Sequence, residues 1–283
     1  MTAPARSTPP SPGSTPQKAA DFGVTGPDIT HLITEDDAPV DNVYSEKQQR
    51  VLPQQLNAGW EGPPPEEGEG PRPFVVMANV GVYATVNEPP LVPDVLLAVD
   101  VRIPEDVHEK KNRCYLLWEY GKAPDVVIEV VSNREGGELT ERKRRYRKMR
   151  VAYYVVWDPE GHLSDTALQV FELRGQLYVR SERAWFESLG IGLTVWEGTF
   201  EGVTDRWLRW CDASGNVIPT GEERAVAERT RADAERTRAD AERTRADAER
   251  TRADAERTRA DTERERAERL AARLRALGID PEG

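Results

Sequence analysis

The sequence predicts a mixed α/β fold with a long C-terminal helix, on three observations. Residues 124–159, PDVVIEVVSNREGGELTERKRRYRKMRVAYYVVWDP, run from a β-branched strand through a basic helix into a second apolar strand. Short apolar runs bounded by Gly, Pro and Asn flank this unit on both sides. From residue 228 the heptad ERTRADA repeats four times and closes as ERTRADT. A strand–helix–strand unit between hairpins implies a mixed central sheet flanked by helices. A neutral repeat rich in Arg, Asp, Glu and Ala implies a separate helix.

Residues 1–32 are expected to be a disordered tail, because 1–27 hold Ala, Pro, Ser and Thr and few large apolar groups to offset ordering entropy. A folded domain is expected over 33–220. Within it, 45–60 reads as a helix capped by Ser45 and kinked or divided at Pro53. Residues 61–73 form a Pro/Gly loop. FVVMANVGVYATV (74–86) gives two strands around a bend near Asn79 and Gly81, and LVPDVLLAVDVRIP (91–104) another strand. After Pro159, ALQVFEL and LYVRSE, then GIGLTVWEG and DRWLRWCDASGNVIP, make a β-rich end. Trp196, Trp207 and Trp210 belong to its packing.

Residues 221–283 form the third region. Thr220 with Glu223 makes a capping box, and Gly278 and Pro281 mark the stop. Arg229–Asp233 and Arg231–Glu235 are spaced to pair at i,i+4. The helix would be on the order of 85 Å long. Its Thr/Ala seam (Thr230, Ala234, Thr237, Ala241) buries little and is out of register with the stripe Ala267, Leu270, Leu274, Leu277. The reading is a charged, largely solvated arm with a self-associating tip rather than a full coiled coil, and a homo-oligomer.

Composition narrows the function classes. A net charge of −11 argues against a uniformly basic nucleic-acid binder, so any DNA contact must be local. Cys114 and Cys211 are too few for a disulfide framework and lack zinc spacing. The chain has neither an 18-residue apolar run nor a signal-peptide core, which points to the cytoplasm and away from the membrane. His31, His108 and His162 are scattered and read as structural or surface groups.

Glu129 is the residue that carries chemistry. An ionised carboxylate inside a β-branched strand costs several kcal/mol unless it is paired or holds a metal. Either an arginine partner or a metal satisfies that requirement. Asp94 opens another apolar strand, and if the two strands are neighbours both carboxylates can face one Mg²⁺. Asp125 also follows a proline, but four extended residues hold it about 13 Å from Glu129, so it reads as a cap of the strand's start. Seven of the ten residues in ERKRRYRKMR (141–150) are basic, which suits DNA phosphate contacts by Arg142, Arg144, Arg145, Arg147 and Lys148. Glu46 reads as a third acid or as an ordinary first-turn acid.

The stretches VPDVLLAVDV (92–101), APDVVIEVVSNREGGEL (123–139), the helix with Lys143 and Tyr146, and VAYYVVWDP (151–159) resemble the Uma-type restriction endonucleases of the PD-(D/E)XK nuclease superfamily. The resemblance spans roughly residues 35–220. It implies a restriction-endonuclease-like fold, with Asp94 and Glu129 as metal ligands and a metal-activated water as nucleophile. The superfamily's lysine would fall at Val131. The Uma-type branch places it on the next helix, which here offers Lys143, with Leu139 and Tyr146 on the same helical face. The expected function is therefore a DNA endonuclease using Mg²⁺ or Mn²⁺. The alternative is an inactive nuclease fold that serves as a scaffold through its arm.

Overall fold

The computed structural model describes residues 26–34, 42–65, 68, 70–133 and 137–277. They fall into two compact units that divide between Gly221 and Glu222. Two short strands, β2 (Val82–Tyr83) and β4 (Tyr115–Leu116), pair in parallel in the first unit, and the one-turn helix α2 (Leu117–Tyr120) follows β4. Its main sheet has six strands in the order β1 (Phe74–Ala78), β3 (Val95–Val99), β5 (Val126–Val130), β6 (Tyr153–Trp157), β7 (Leu168–Arg174), β8 (Leu177–Ser181). β5 and β6 run parallel, and the other neighbours are antiparallel. A parallel pair needs a crossover. Here it is a π-helical turn, Glu138–Arg142, continued by α3 (Lys143–Met149).

The sheet is covered on both faces, which is why VVIEVV reads as an unbroken apolar run. Val126, Ile128 and Val130 face a cluster shared with helix α1 (Val43–Gly59) and with the hairpin β10 (Ile191–Phe200) and β11 (Val203–Cys211). Val127 and Val131 face the other cluster, with Tyr146 and Met149 of α3. Alternation therefore puts Glu129 under α3.

Helix α1 does more than pack. Its cap is Asn42, whose Oδ1 accepts the Ser45 N–H at 2.8 Å, so the cap lies three residues before the expected Ser45. Pro53 lies inside a single helix rather than dividing it. β11 is the edge of a three-stranded sheet ordered β11-β10-β9, where β9 is Trp185–Phe186. Two α1 glutamines cover that edge. Gln48 donates to Leu208 O at 2.9 Å and accepts from Leu208 N at 2.8 Å. Gln55 does the same with Trp210, at 3.3 and 3.1 Å. A primary amide carries one donor face and one acceptor face, so it can stand in for a neighbouring strand.

β10 and β11 join through Glu201 and Gly202, both at positive φ, as a two-residue hairpin turn of the primed type requires. Trp207 and Trp210 are fully buried. Of the tail expected over 1–32, residues 1–25 lie outside the described residues. Ile29 and Leu32 pack with Tyr83, Cys114 and Leu116. Both cysteines are free and buried.

In the second unit, α4 (Gly221–Ala276) spans 56 residues, about 84 Å, with no buried side chain. Thr230 and its heptad equivalents donate Oγ1–H to carbonyls four residues back, at 2.9 Å for Thr230. Ion pairs close at Arg264–Glu268, 3.2 Å, and Arg269–Glu265, 3.0 Å. The expected stop at Gly278 and Pro281 lies outside the described residues. Among the described residues, no helix is long and apolar enough to cross a membrane.

Candidate active site

The β3–β5 ladder pairs Val95 with Ile128, so one step further sets Asp94 opposite Glu129. Glu129 alternates onto the α3 face with Leu96, Ala98 and Val127, and Asp94, just before β3, lies near enough to act on it electrostatically. The start of β3 is held by Asn79, in the left-handed conformation that asparagine tolerates, whose N–H donates to Asp94 O at 3.1 Å. Asp94 Oδ2 accepts the Val130 N–H at 2.6 Å. Gln49 Nε2 of α1 donates to Oδ1.

Glu129 is 3% exposed and its partners come from the crossover. Arg142 Nη2 lies 2.7 Å from both carboxylate oxygens, and its Nε donates to Oε1 at 3.0 Å. The same Nη2 reaches Val92 O at 2.7 Å, which fastens the guanidinium to the loop before β3. Tyr146 Oη donates to Glu129 Oε1 at 2.7 Å. Burial pushes the Glu129 carboxyl up to about 8; Asp94 acts in the same direction, while Arg142 and Tyr146 oppose it. Burial works against the charge on Arg142, and Glu129, Tyr146 and Tyr154 together outweigh it and hold the guanidinium protonated.

Two expectations are corrected here. Arg142 does not face outward to phosphate; it is the cation on Glu129. Lys143 does not meet the acids; its Nζ lies 3.3 Å from the centre of the Phe171 ring on β7. The physical reason is the first turn of the crossover. Arg142 N–H donates to Gly137 O five residues back, at 3.2 Å, so this turn holds one residue more than an α-helical one. The wider turn changes the phase, and Arg142 and Tyr146, four apart, share the face over Glu129.

The other named residues lie elsewhere. Glu46 pairs with Arg50 at 3.0 Å, while Gln49, three residues on, is the α1 side chain that reaches Asp94. Asp125 Oδ2 accepts the Val99 N–H at 2.8 Å and pairs with Lys122 at 2.7 Å, which ties β3 to the start of β5. Arg144 pairs with Glu141 at 2.6 Å. Arg145 donates to the carbonyls of Pro89 and Pro90. With Lys148, these two arginines line an open cleft of about 420 Å³ that Glu88 also borders. Arg147 is half-exposed on α3. Gln49 carried only a weak signal in the sequence, as one of three glutamines on a helix face that also holds Val51, Leu52 and Leu56.

The acid pair fits a divalent cation in ligand type, since Mg²⁺ is held by one or two carboxylates plus waters and phosphate oxygens. Among the described residues no group of three or more His, Cys, Asp or Glu could hold a metal. Both Glu129 oxygens accept from Arg142, so a cation binds there only once the guanidinium moves off. Comparison with curated proteins gives no match. Residues 39–193 match the family model Uma2, described as "putative restriction endonuclease". The match covers more than half of the chain and contains β1 to β8 and the whole acid pair. With its mixed sheet and covering helices, the chain belongs to the Uma2 family of restriction-endonuclease-like proteins, a nuclease family.

Proposed function

We propose that this chain is an endonuclease that hydrolyses DNA phosphodiester bonds with Mg²⁺ or Mn²⁺ at Asp94 and Glu129. One observation supports it above the rest: Asp94, at the entry to β3, is in register with Glu129 on β5, and a guanidinium ties Glu129 to the loop before β3. When bound, the cation would activate water and offset charge on the phosphate. The chain's own groups do the remainder. Gln49 and the Val130 N–H fix the Asp94 carboxylate. Tyr146 holds Glu129 from α3. Arg142, once off Glu129, can contact a phosphate oxygen through the same planar fork.

Incubation of the purified chain with Mg²⁺ or Mn²⁺ and supercoiled plasmid tests this reading. Nicking or linearisation is expected from the wild type, with at least a hundredfold loss in Asp94→Ala and Glu129→Ala. Equal and negligible cleavage by the wild type and Asp94→Ala overturns it.

The ion pair that spans both Glu129 oxygens favours a second reading, a nuclease fold that binds without cutting and assembles through α4. Titration calorimetry in which Mn²⁺ uptake is absent, or does not depend on Glu129, selects that reading. Under either reading we assign α4 to self-association. Light scattering should then give a mass above the monomer for the full chain, and the monomer mass after removal of 221–283. Equal subunit numbers for both sink the assignment.

A further inference from the structure

Lys143 and Arg180 share the face of Phe171 on the β7–β8 side of α3. Phe171 is 6% exposed, and Lys143 Nζ lies over its face. Arg180 is the cross-strand partner of Phe171 on β8 and is exposed. Most cations of this unit that lie near an acid are paired with it: Arg142 with Glu129, Arg144 with Glu141, Arg72 with Asp100, Arg174 with Glu172. Among the described residues neither Lys143 nor Arg180 has a carboxylate partner. Glu172, next along β7, points to the opposite face of the sheet and is taken by Arg174. Burial first, and Arg180 second, hold Lys143 below its ordinary value, so the two cations act on each other.

Two cations held together without an acid repel, and the arrangement becomes favourable when an anion joins them. We propose that Lys143 and Arg180 form a subsite for a backbone phosphate of the nucleic-acid strand that reaches the acid pair. The inference rests on the nuclease reading and names a contact that it lacks. Its position fits. Val127, Tyr154 and Phe171 lie level across β5, β6 and β7, and Glu129 is two residues further along β5. With strands about 4.8 Å apart and a rise of about 3.3 Å per residue, Phe171 is roughly 12 Å from Glu129. A nucleic-acid strand covers that distance in a few nucleotides. The ring orients the ammonium, and the Lys143 side chain stays partly exposed.

The test is fluorescence anisotropy of a short labelled DNA duplex with the full-length chain, without divalent metal, over a range of salt. Lys143→Gln and Arg180→Gln are each expected to weaken binding several-fold. Each should reduce the slope of log K against log salt by about 0.9, and the pair together by about twice that. Arg174→Gln, on the opposite face, should leave the slope unchanged. Thermal melting supplies an independent readout: Arg180→Gln relieves a repulsion and should melt no lower than the wild type, whereas a structural arginine would melt lower. Unchanged slopes in both variants, or a wild-type chain that does not retain the duplex at low salt, overturn the subsite. Salt-sensitive binding that depends on both residues, in a chain that leaves plasmid uncut with Mn²⁺, supports the subsite and breaks only the nuclease reading.

Discussion

Arg142 and Lys143 are neighbours in sequence, yet they serve regions of opposite electrostatic character. Arg142 turns under the crossover onto a buried carboxyl group, both oxygens of which it contacts and whose charge, once the proton leaves, balances its own. Lys143 turns onto an aromatic ring beside another cation, where its charge is not balanced. The basic run 141–150 is therefore not one phosphate-binding face. It is split by helix phase into an internal tie, a cleft-lining group and a cation pair open to an anion. A residue's role here follows from which strand lies beneath it: β5 offers Glu129, and β7 offers Phe171.

Removing each of the two side chains should show the largest difference. Above about pH 8, where Glu129 is ionised, Arg142→Met leaves it buried without its counter-charge, and loss of one partner of a buried pair costs roughly 3–5 kcal/mol. Proton uptake by Glu129 offsets part of that cost, so a loss of about 3 kcal/mol is expected. In a domain of this size that is a fall in Tm of roughly 6–12 °C. Lys143→Met should change stability by less than about 1 kcal/mol, because it loses a ring contact and also a repulsion. Adding Glu129→Leu to Arg142→Met should recover most of the loss, since a matched apolar replacement of a buried pair is near neutral. Urea unfolding of the four proteins above about pH 8, where Glu129 has released its proton, checks this. Similar losses in the two single variants would erase the distinction between the regions.

The sheet and its acids were legible in the sequence, because burial writes itself into residue type. VVIEVV is continuous since both faces are covered, and a carboxylate inside it had to have a partner or a metal. Asp94 opposite Glu129 followed from two strands that prove to be neighbours. The arginine partner of Glu129 was legible as a possibility, though not as Arg142. Helix phase was the missing quantity. Leu139, Lys143 and Tyr146 share a face in an ideal α-helix, and the extra residue in the turn at Glu138–Arg142 is a backbone event with no residue-type signature. The cap at Asn42 rather than Ser45 and the contact from Gln49 to Asp94 were hidden for a related reason. They depend on where α1 begins and on its tertiary position against β3.

A smaller and graded effect lies in pH. The folded chain holds the Glu129 proton up to about 8, against an ordinary value of 4.5 for an exposed glutamate. A raised carboxyl means that the folded state binds the proton more tightly than the unfolded state does. Its stabilising contribution is full below about 4.5 and is lost as pH rises through 8. Within that window stability falls by up to about 1.4 kcal/mol per pH unit for this one proton. Glu129→Gln cannot titrate, so its unfolding free energy should be flatter than the wild type from about pH 5 to about pH 9. The comparison of slopes isolates Glu129 from the other carboxylates, which both proteins share. Parallel slopes would mean that Arg142 keeps Glu129 ionised throughout. The two regions would then differ by a permanent ion pair rather than by one that a proton can open.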